Sequence, residues 1–88
     1  MNLHQAIQVR IIPATDTQPK RWKAFASAGS LVISDDTSKP IHPEWDNLIP
    51  DRKALIVAEI YSRHNNWMIP VAGGILKNGD WVFVTNVL

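Results

Sequence analysis

The residue types that most often carry out catalysis are present in this chain, but their spacing matches no catalytic site. His42-Pro43-Glu44 has the His-x-Glu spacing of zinc deaminases, whose signature also needs a later Pro-Cys-x-x-Cys. The chain contains no cysteine, so this match fails. The other two histidines, His4 and His64, are far from His42 in sequence, and no serine lies in a Gly-x-Ser-x-Gly turn. We therefore expect no enzymatic activity, no catalytic or metal-binding residue and no cofactor.

A basic segment with a tryptophan is the strongest candidate for contact with nucleic acid. In Lys20-Arg21-Trp22-Lys23 the cations could follow a phosphate backbone while the indole stacks on a base. Alternatively, Trp22 lies in the core and the cations form a solvated edge that prevents aggregation. The candidate nucleic-acid contacts are Arg10, Lys20, Arg21, Trp22 and Lys23.

A helix that is too apolar for one buried stripe is the strongest candidate for contact with a protein. The segment from Asp51 to His64 begins after a proline and ends in cations, as helices do. Its apolar residues extend beyond the stripe of about 100° that packing on one sheet requires. Either a loop or another subunit must cover the second side. Trp45, in the acidic loop before the helix, is the best candidate for an exposed residue that anchors a partner. The candidate protein interface comprises Trp45, Ile56, Val57 and Ile60.

Three segments in the first third of the chain alternate between apolar and polar residues, which predicts strands of an antiparallel meander. The segments are residues 5–12, 20–27 and 30–34. In the second, Trp22, Ala24 and Ala26 share one face, and Arg21, Lys23, Phe25 and Ser27 share the other. The acidic segment from Asp35 to Pro50 predicts a loop that Trp45 and Ile49 attach to the domain.

The C-terminal segment predicts a β-hairpin. Lys77-Asn78-Gly79-Asp80 places Asn-Gly at the centre of a two-residue turn, which puts Gly73 opposite Val84 and Gly74 opposite Phe83. Glycines opposite large residues indicate a bulge, or an aromatic ring over bare backbone. The expected fold is α+β, with the order β-β-β-α-β-β: an antiparallel five-stranded sheet with one helix packed on one face.

Composition limits the class of protein. The chain has 88 residues and a net charge of +1, which fits one domain spanning residues 1–88 and argues against a strongly basic nucleic-acid module. The small net charge is a sum of opposed blocks, +3 over residues 1–34, −4 over 35–51 and +2 over 52–88. We see no targeting or membrane-spanning segment and expect a cytoplasmic protein.

The order of several short motifs resembles that of small, mostly uncharacterised proteins encoded on phages, prophages and plasmids. The motifs are Pro13-Ala14-Thr15-Asp16-Thr17, Arg21-Trp22-Lys23-Ala24, Ala28-Gly29-Ser30, Gly73-Gly74 and Val82-Phe83-Val84. The long acidic loop departs from that pattern. The resemblance implies an accessory protein of a mobile genetic element and brings no catalytic residue with it.

Together these observations predict a non-enzymatic accessory protein that acts by protein–protein binding, as a homodimer. The alternative is a small single-stranded nucleic-acid-binding protein that uses a basic, tryptophan-containing strand surface.

Overall fold

The computed structural model describes residues 4–35 and 41–86, which form one antiparallel five-stranded sheet with one α-helix on one face. The elements in chain order are β1 (His4–Ile12), β2 (Arg21–Ala26), β3 (Gly29–Ser34), a 3-10 turn (Trp45–Asn47), α1 (Pro50–His64), β4 (Ala72–Ile75) and β5 (Trp81–Asn86). The strand order across the sheet is β3-β2-β1-β5-β4. The predicted fold class is confirmed, and the 3-10 turn before the helix is the addition.

Alternation along the strands separates the two faces of the sheet as predicted. The face under α1, here called the covered face, carries Ile7 and Val9 of β1 and Trp22 and Ala24 of β2, all at most 1% exposed. The residues between them point to the opposite side, here called the open face, against which α1 does not pack. Each of these two strands therefore buries alternate side chains, and the buried ones are apolar.

The helix begins and ends where its sequence indicates. Pro50 occupies the first turn, where a missing N–H costs nothing, and Asn66 ends the helix segment with φ at +58°. The side chains that α1 buries against β1, β2 and β5 are those of Ala54, Val57, Ala58, Tyr61 and Ser62.

The hairpin between β4 and β5 has a three-residue loop, so the predicted two-residue Asn-Gly turn is wrong. The amide of Leu76 donates to the carbonyl of Asp80, and the amide of Gly79 donates to the carbonyl of Leu76. Only Gly79 takes a positive φ, +92°, because the Asn78 side chain accepts from the amide of Asp80 at 3.0 Å and stays right-handed.

This loop shifts the predicted register of the hairpin by one residue. Gly73 lies opposite Phe83, and Gly74 lies opposite Val82. A Cβ atom on Gly73 would lie 2.4 Å from Cδ1 of Phe83, so an aromatic ring does cover bare backbone here. The prediction of an aromatic ring over a glycine is therefore confirmed, although the glycine opposite Phe83 is Gly73 and not Gly74.

The acidic segment contributes to the core as far as the structure describes it. Trp45 is 1% exposed, and Ile41 and Leu48 pack against the same core. Ile49 is 61% exposed, so its predicted anchoring role is wrong. Within residues 4–35 and 41–86, no helix is both long and apolar enough to cross a membrane.

Candidate functional site

The carboxylate of Asp35 joins the end of β3 to the acidic loop. It accepts hydrogen bonds from the indole nitrogens of Trp22 at 3.1 Å and Trp45 at 2.8 Å, and it pairs with Nζ of Lys20 at 3.2 Å. Burial raises the pKa of this carboxyl, but the three donors outweigh burial and hold the pKa below its usual value. Two residues of the predicted nucleic-acid surface, Lys20 and Trp22, are therefore occupied in holding the fold together.

Trp22 cannot serve as the stacking residue that the sequence suggested. It is 1% exposed on the covered face, where its ring lies 5.9 Å from that of Trp45 and 5.6 Å from that of Trp81. The Trp81 indole also donates to a carboxylate, that of Asp51 at 2.8 Å. The three indoles form a structural cluster. Of the two interpretations of Trp22 that the sequence left open, the buried one is confirmed and contact with a base is wrong.

The predicted protein interface on the helix does not form an exposed patch. Val57 is fully buried against the sheet, and Ile56 and Ile60 are half-buried. Trp45, the expected exposed anchor, is buried because its indole reaches Asp35 and its ring lies beneath the Lys53 ammonium at 5.2 Å. The loop therefore covers this side of the helix with its own tryptophan.

The open face carries three of the predicted cations, and two of them lie against an aromatic ring. Arg10, Arg21 and Lys23 point to this side, and the Arg10 guanidinium and Lys23 ammonium each lie 5.3 Å from the centre of the Phe25 ring. Phe25 is partly exposed. Sequence reasoning placed Phe25 on this face but did not select it, although strict alternation along β2 was the signal.

One carboxylate, that of Asp80, lies among these cations. It accepts from Gln8 at 2.7 Å and pairs with the Arg10 guanidinium at 2.8 Å, and it is 7% exposed. The hydrogen bond from Arg10 lowers the pKa of Asp80 most, and the bonds from Gln8 and Asn78 lower it further. Burial raises this pKa, but by less than the donors lower it. Since Arg10, Arg21 and Lys23 outnumber this single acid, the described side chains of the open face carry a net positive charge.

The edge of the sheet at β4 is an apolar surface that sequence reasoning missed. All four residues of β4 are exposed, and so are neighbouring large apolar side chains. The neighbours are Met68 (43%), Ile69 (53%) and Val71 (64%), and within β4 itself Ile75 is 63% exposed. The available signal was a run of ten residues, from Trp67 to Leu76, without one charge.

A groove of about 310 Å³ separates this edge from the helix. Leu55 of α1 forms one wall and Val71 and Ile75 form the other, while Phe83 and Gly73 line it between them. The groove exists because α1 packs mainly over β1, β2 and β5. We call β4, its exposed apolar neighbours and this groove the β4 edge.

Neither surface holds the donors of a metal site. Among the described residues, no three histidine or acidic side chains lie close enough together to bind an ion. His42 uses its Nδ1 atom to accept from the amide of Glu44 at 3.0 Å, and the side chain of His4 lies outside the described set. Comparison with known protein families, curated proteins and solved structures finds no match for this chain, so its function must be argued from these two surfaces.

Proposed function

We propose that this chain is a non-enzymatic protein-binding module that forms a homodimer through the β4 edge. The observation that carries the proposal is an unprotected apolar edge strand. Sheet edges are normally protected by charged side chains, prolines, bulges or a covering element. Among the residues that the structure describes, only the short length of β4 and Pro70 offer such protection at this edge, while Val71 and Ile75 are each more than 60% exposed.

The backbone of β4 has hydrogen-bonding groups available for another strand. Because the amide of Leu76 points to Asp80, alternation along an antiparallel ladder turns the N–H and C=O groups of Ile75 and Gly73 away from β5. A strand added at this edge would satisfy those groups.

The side chains favour a second copy of β4 as that strand. If two β4 strands pair antiparallel about a two-fold axis at Gly74, Gly73 lies opposite Ile75 of the partner subunit. The hydrogen-bonded pairs then contribute about four main-chain bonds. The Phe83 ring already covers Gly73, so Ile75 of the partner subunit, on the same covered side, would pack against the edge of that ring at the groove. The run from Trp67 to Leu76 has no charge to repel its own copy.

The test is the mass in solution by size exclusion with light scattering at micromolar concentrations. We expect the wild type to approach twice the chain mass of 9.9 kDa. Ile75→Lys places a charge in the groove and should weaken dimerisation at least about tenfold, or about 1.4 kcal/mol. Val32→Lys is the matched control, since Val32 is 49% exposed on β3 at the opposite edge.

A third variant separates this interface from the one that the helix sequence suggested. Ile60→Glu changes a half-buried position on α1 away from the β4 edge. A dimer lost in Ile60→Glu but kept in Ile75→Lys, with both folded by circular dichroism, would place the interface on the helix. A wild type that stays monomeric at high micromolar concentration would overturn the homodimer.

The biological setting stays a prediction. The accessory role in a mobile element, which the order of the short sequence motifs suggests, and the cytoplasmic location are both expectations from the sequence. The alternative is single-stranded nucleic-acid binding through Arg10, Lys20, Arg21, Trp22 and Lys23. Two of these residues, Trp22 and Lys20, are bound to the Asp35 carboxylate and are not available to a nucleic acid.

A further inference from the structure

We propose a second binding site: the open face of the sheet holds single-stranded nucleic acid, with Phe25 rather than a tryptophan as the base-stacking residue. This site uses the opposite side of the sheet from the β4 groove and does not depend on the dimer. It retains three of the cations that the sequence singled out and replaces the aromatic residue.

The register of β1 and β2 indicates on which side of Phe25 a base would stack. Arg10 and Lys23 are paired across β1 and β2, one step along the sheet from Phe25, so both cations approach the ring from the same direction. In the other direction along β1 the open face carries Ala6, a small and exposed side chain. A base stacked there meets no charged side chain among those described.

The cations continue from the ring in a line that a phosphate backbone can follow. Lys23 and Arg21 are alternate residues of β2, about 7 Å apart along the strand. Arg21 is only partly exposed, and its Nε atom is buried without a hydrogen-bond partner in the described part of the chain, so the end of the guanidinium is the part that would meet a phosphate. Arg10 keeps Asp80 neutralised beside them, so the carboxylate does not cancel the charge of Lys23 and Arg21.

Charge complementarity favours nucleic acid over an apolar protein partner here. A protein surface docking on this face would have to desolvate the cations beside Phe25, whereas phosphates would pair with them. A single strand also exposes the faces of its bases, which a duplex does not, and stacking of this kind tolerates any sequence.

The test is fluorescence anisotropy of labelled oligo(dT) and oligo(U) of about 15 nucleotides, within the range that small single-strand binders occupy. At low salt we expect saturable binding to a single strand and weaker binding to a duplex of the same length. Phe25→Leu keeps an apolar side chain but removes the ring, and should weaken binding about tenfold. Comparing the two oligonucleotides tells DNA preference from RNA preference.

A matched pair of charge variants separates this site from general attraction. Lys23→Gln should weaken binding and reduce the slope of log affinity against log salt by about 0.7. Arg63→Gln makes the same change of charge on α1, across the sheet, and should leave affinity within about twofold.

Three results would overturn the site. They are no binding by the wild type at low salt, unchanged binding by Phe25→Leu, and equal effects of Lys23→Gln and Arg63→Gln. Circular dichroism checks that each variant is folded. The Ile75→Lys variant, which tests the β4 edge, should still bind the oligonucleotide, so one proposal can fail without the other.

Discussion

The two faces of the sheet each place a nearly buried carboxylate beside a cation, but the partners of the carboxylates differ. On the covered face, Asp35 receives two indole N–H groups as well as Lys20, and so fastens β2 to the acidic loop. On the open face, Asp80 accepts a hydrogen bond from Gln8 and pairs with Arg10, both on the adjacent strand, and the Arg10 side chain remains 46% exposed. The first carboxylate links distant segments of the core, whereas the second arranges charges on a surface.

This difference indicates that the covered face of the sheet stabilises the fold, whereas the open face is available for binding. Residues on the covered face are occupied by contacts that hold the fold together, so changing them should cost stability. Residues on the open face are largely free to meet a ligand, so changing them should cost little stability. Four predictions test this division, in order of the expected effect.

The largest effect is expected from the tryptophan that fills the space between the loop and the core. Trp45→Ala should lower the free energy of unfolding by about 3–5 kcal/mol, because it empties a large buried volume and removes a donor to Asp35. Urea denaturation measures the change. Ile49→Ala, in the same segment but 61% exposed, should change stability by at most about 0.5 kcal/mol. Equal losses in the two variants would mean that Trp45 does not anchor the loop.

The second effect concerns the acceptor of the two indoles. Asp35→Asn should lower the free energy of unfolding at pH 7 by about 2–3 kcal/mol, since an amide cannot accept as strongly from both indole groups and Lys20. Its pH dependence provides an independent check.

The pKa of Asp35 is lower in the folded protein than in the unfolded chain, so the unfolded chain binds protons first as pH falls. The contribution of Asp35 is complete above the ordinary aspartate pKa of about 3.9 and is lost as pH drops through the lowered value. The difference in the free energy of unfolding between wild type and Asp35→Asn, measured by urea denaturation, should therefore disappear below about pH 4. A gap that stays constant to low pH would contradict this assignment.

Two adjacent glycines give the most direct comparison of the faces. A Cβ atom on Gly73 points to the covered side and would lie 2.4 Å from the Phe83 ring, whereas one on Gly74 points to the open side and meets nothing within 4 Å. Gly73→Ala should cost about 1–3 kcal/mol through forced movement of the ring. Gly74→Ala should be neutral or slightly stabilising. Thermal denaturation compares the two, and a larger loss in Gly74→Ala would reverse the assignment of the faces.

The smallest effect is expected on the open face. Asp80→Asn should lower the free energy of unfolding by about 0.5–1 kcal/mol at pH 7, because solvent competes for its partner Arg10. The sign of its pH dependence matches that of Asp35, since the pKa of Asp80 is also lowered. A loss as large as that of Asp35→Asn would show that the open face also holds the fold together.

Most of the fold could be predicted from local patterns, because those patterns have local physical causes. The alternation along β2 predicted correctly that Trp22 and Lys23 point to opposite faces. Pro50 marked the start of the helix, and the cations Arg63 and His64 marked its end. The hairpin was located correctly but its register was not, because the side chain of Asn78 turned to the amide of Asp80 and only Gly79 adopted a positive φ.

The candidate sites were harder to predict, because exposure depends on what packs above each face. Sequence reasoning named Trp22 and Trp45 as candidates for binding, but both are buried in the core, where the carboxylate of Asp35 accepts from both indoles. The β4 edge was missed because an uncharged segment can equally be core. It is a surface because the helix packs mainly over β1, β2 and β5.

The sequence by itself determined the elements, their order and the side to which each strand residue points, since these follow from backbone geometry and from the spacing of apolar residues. The tertiary structure alone decided which face the helix covers, which tryptophans Asp35 fixes and which edge stays open. Those outcomes depend on contacts between segments that are distant in sequence. Such contacts contribute to stability only after folding has brought the distant segments together.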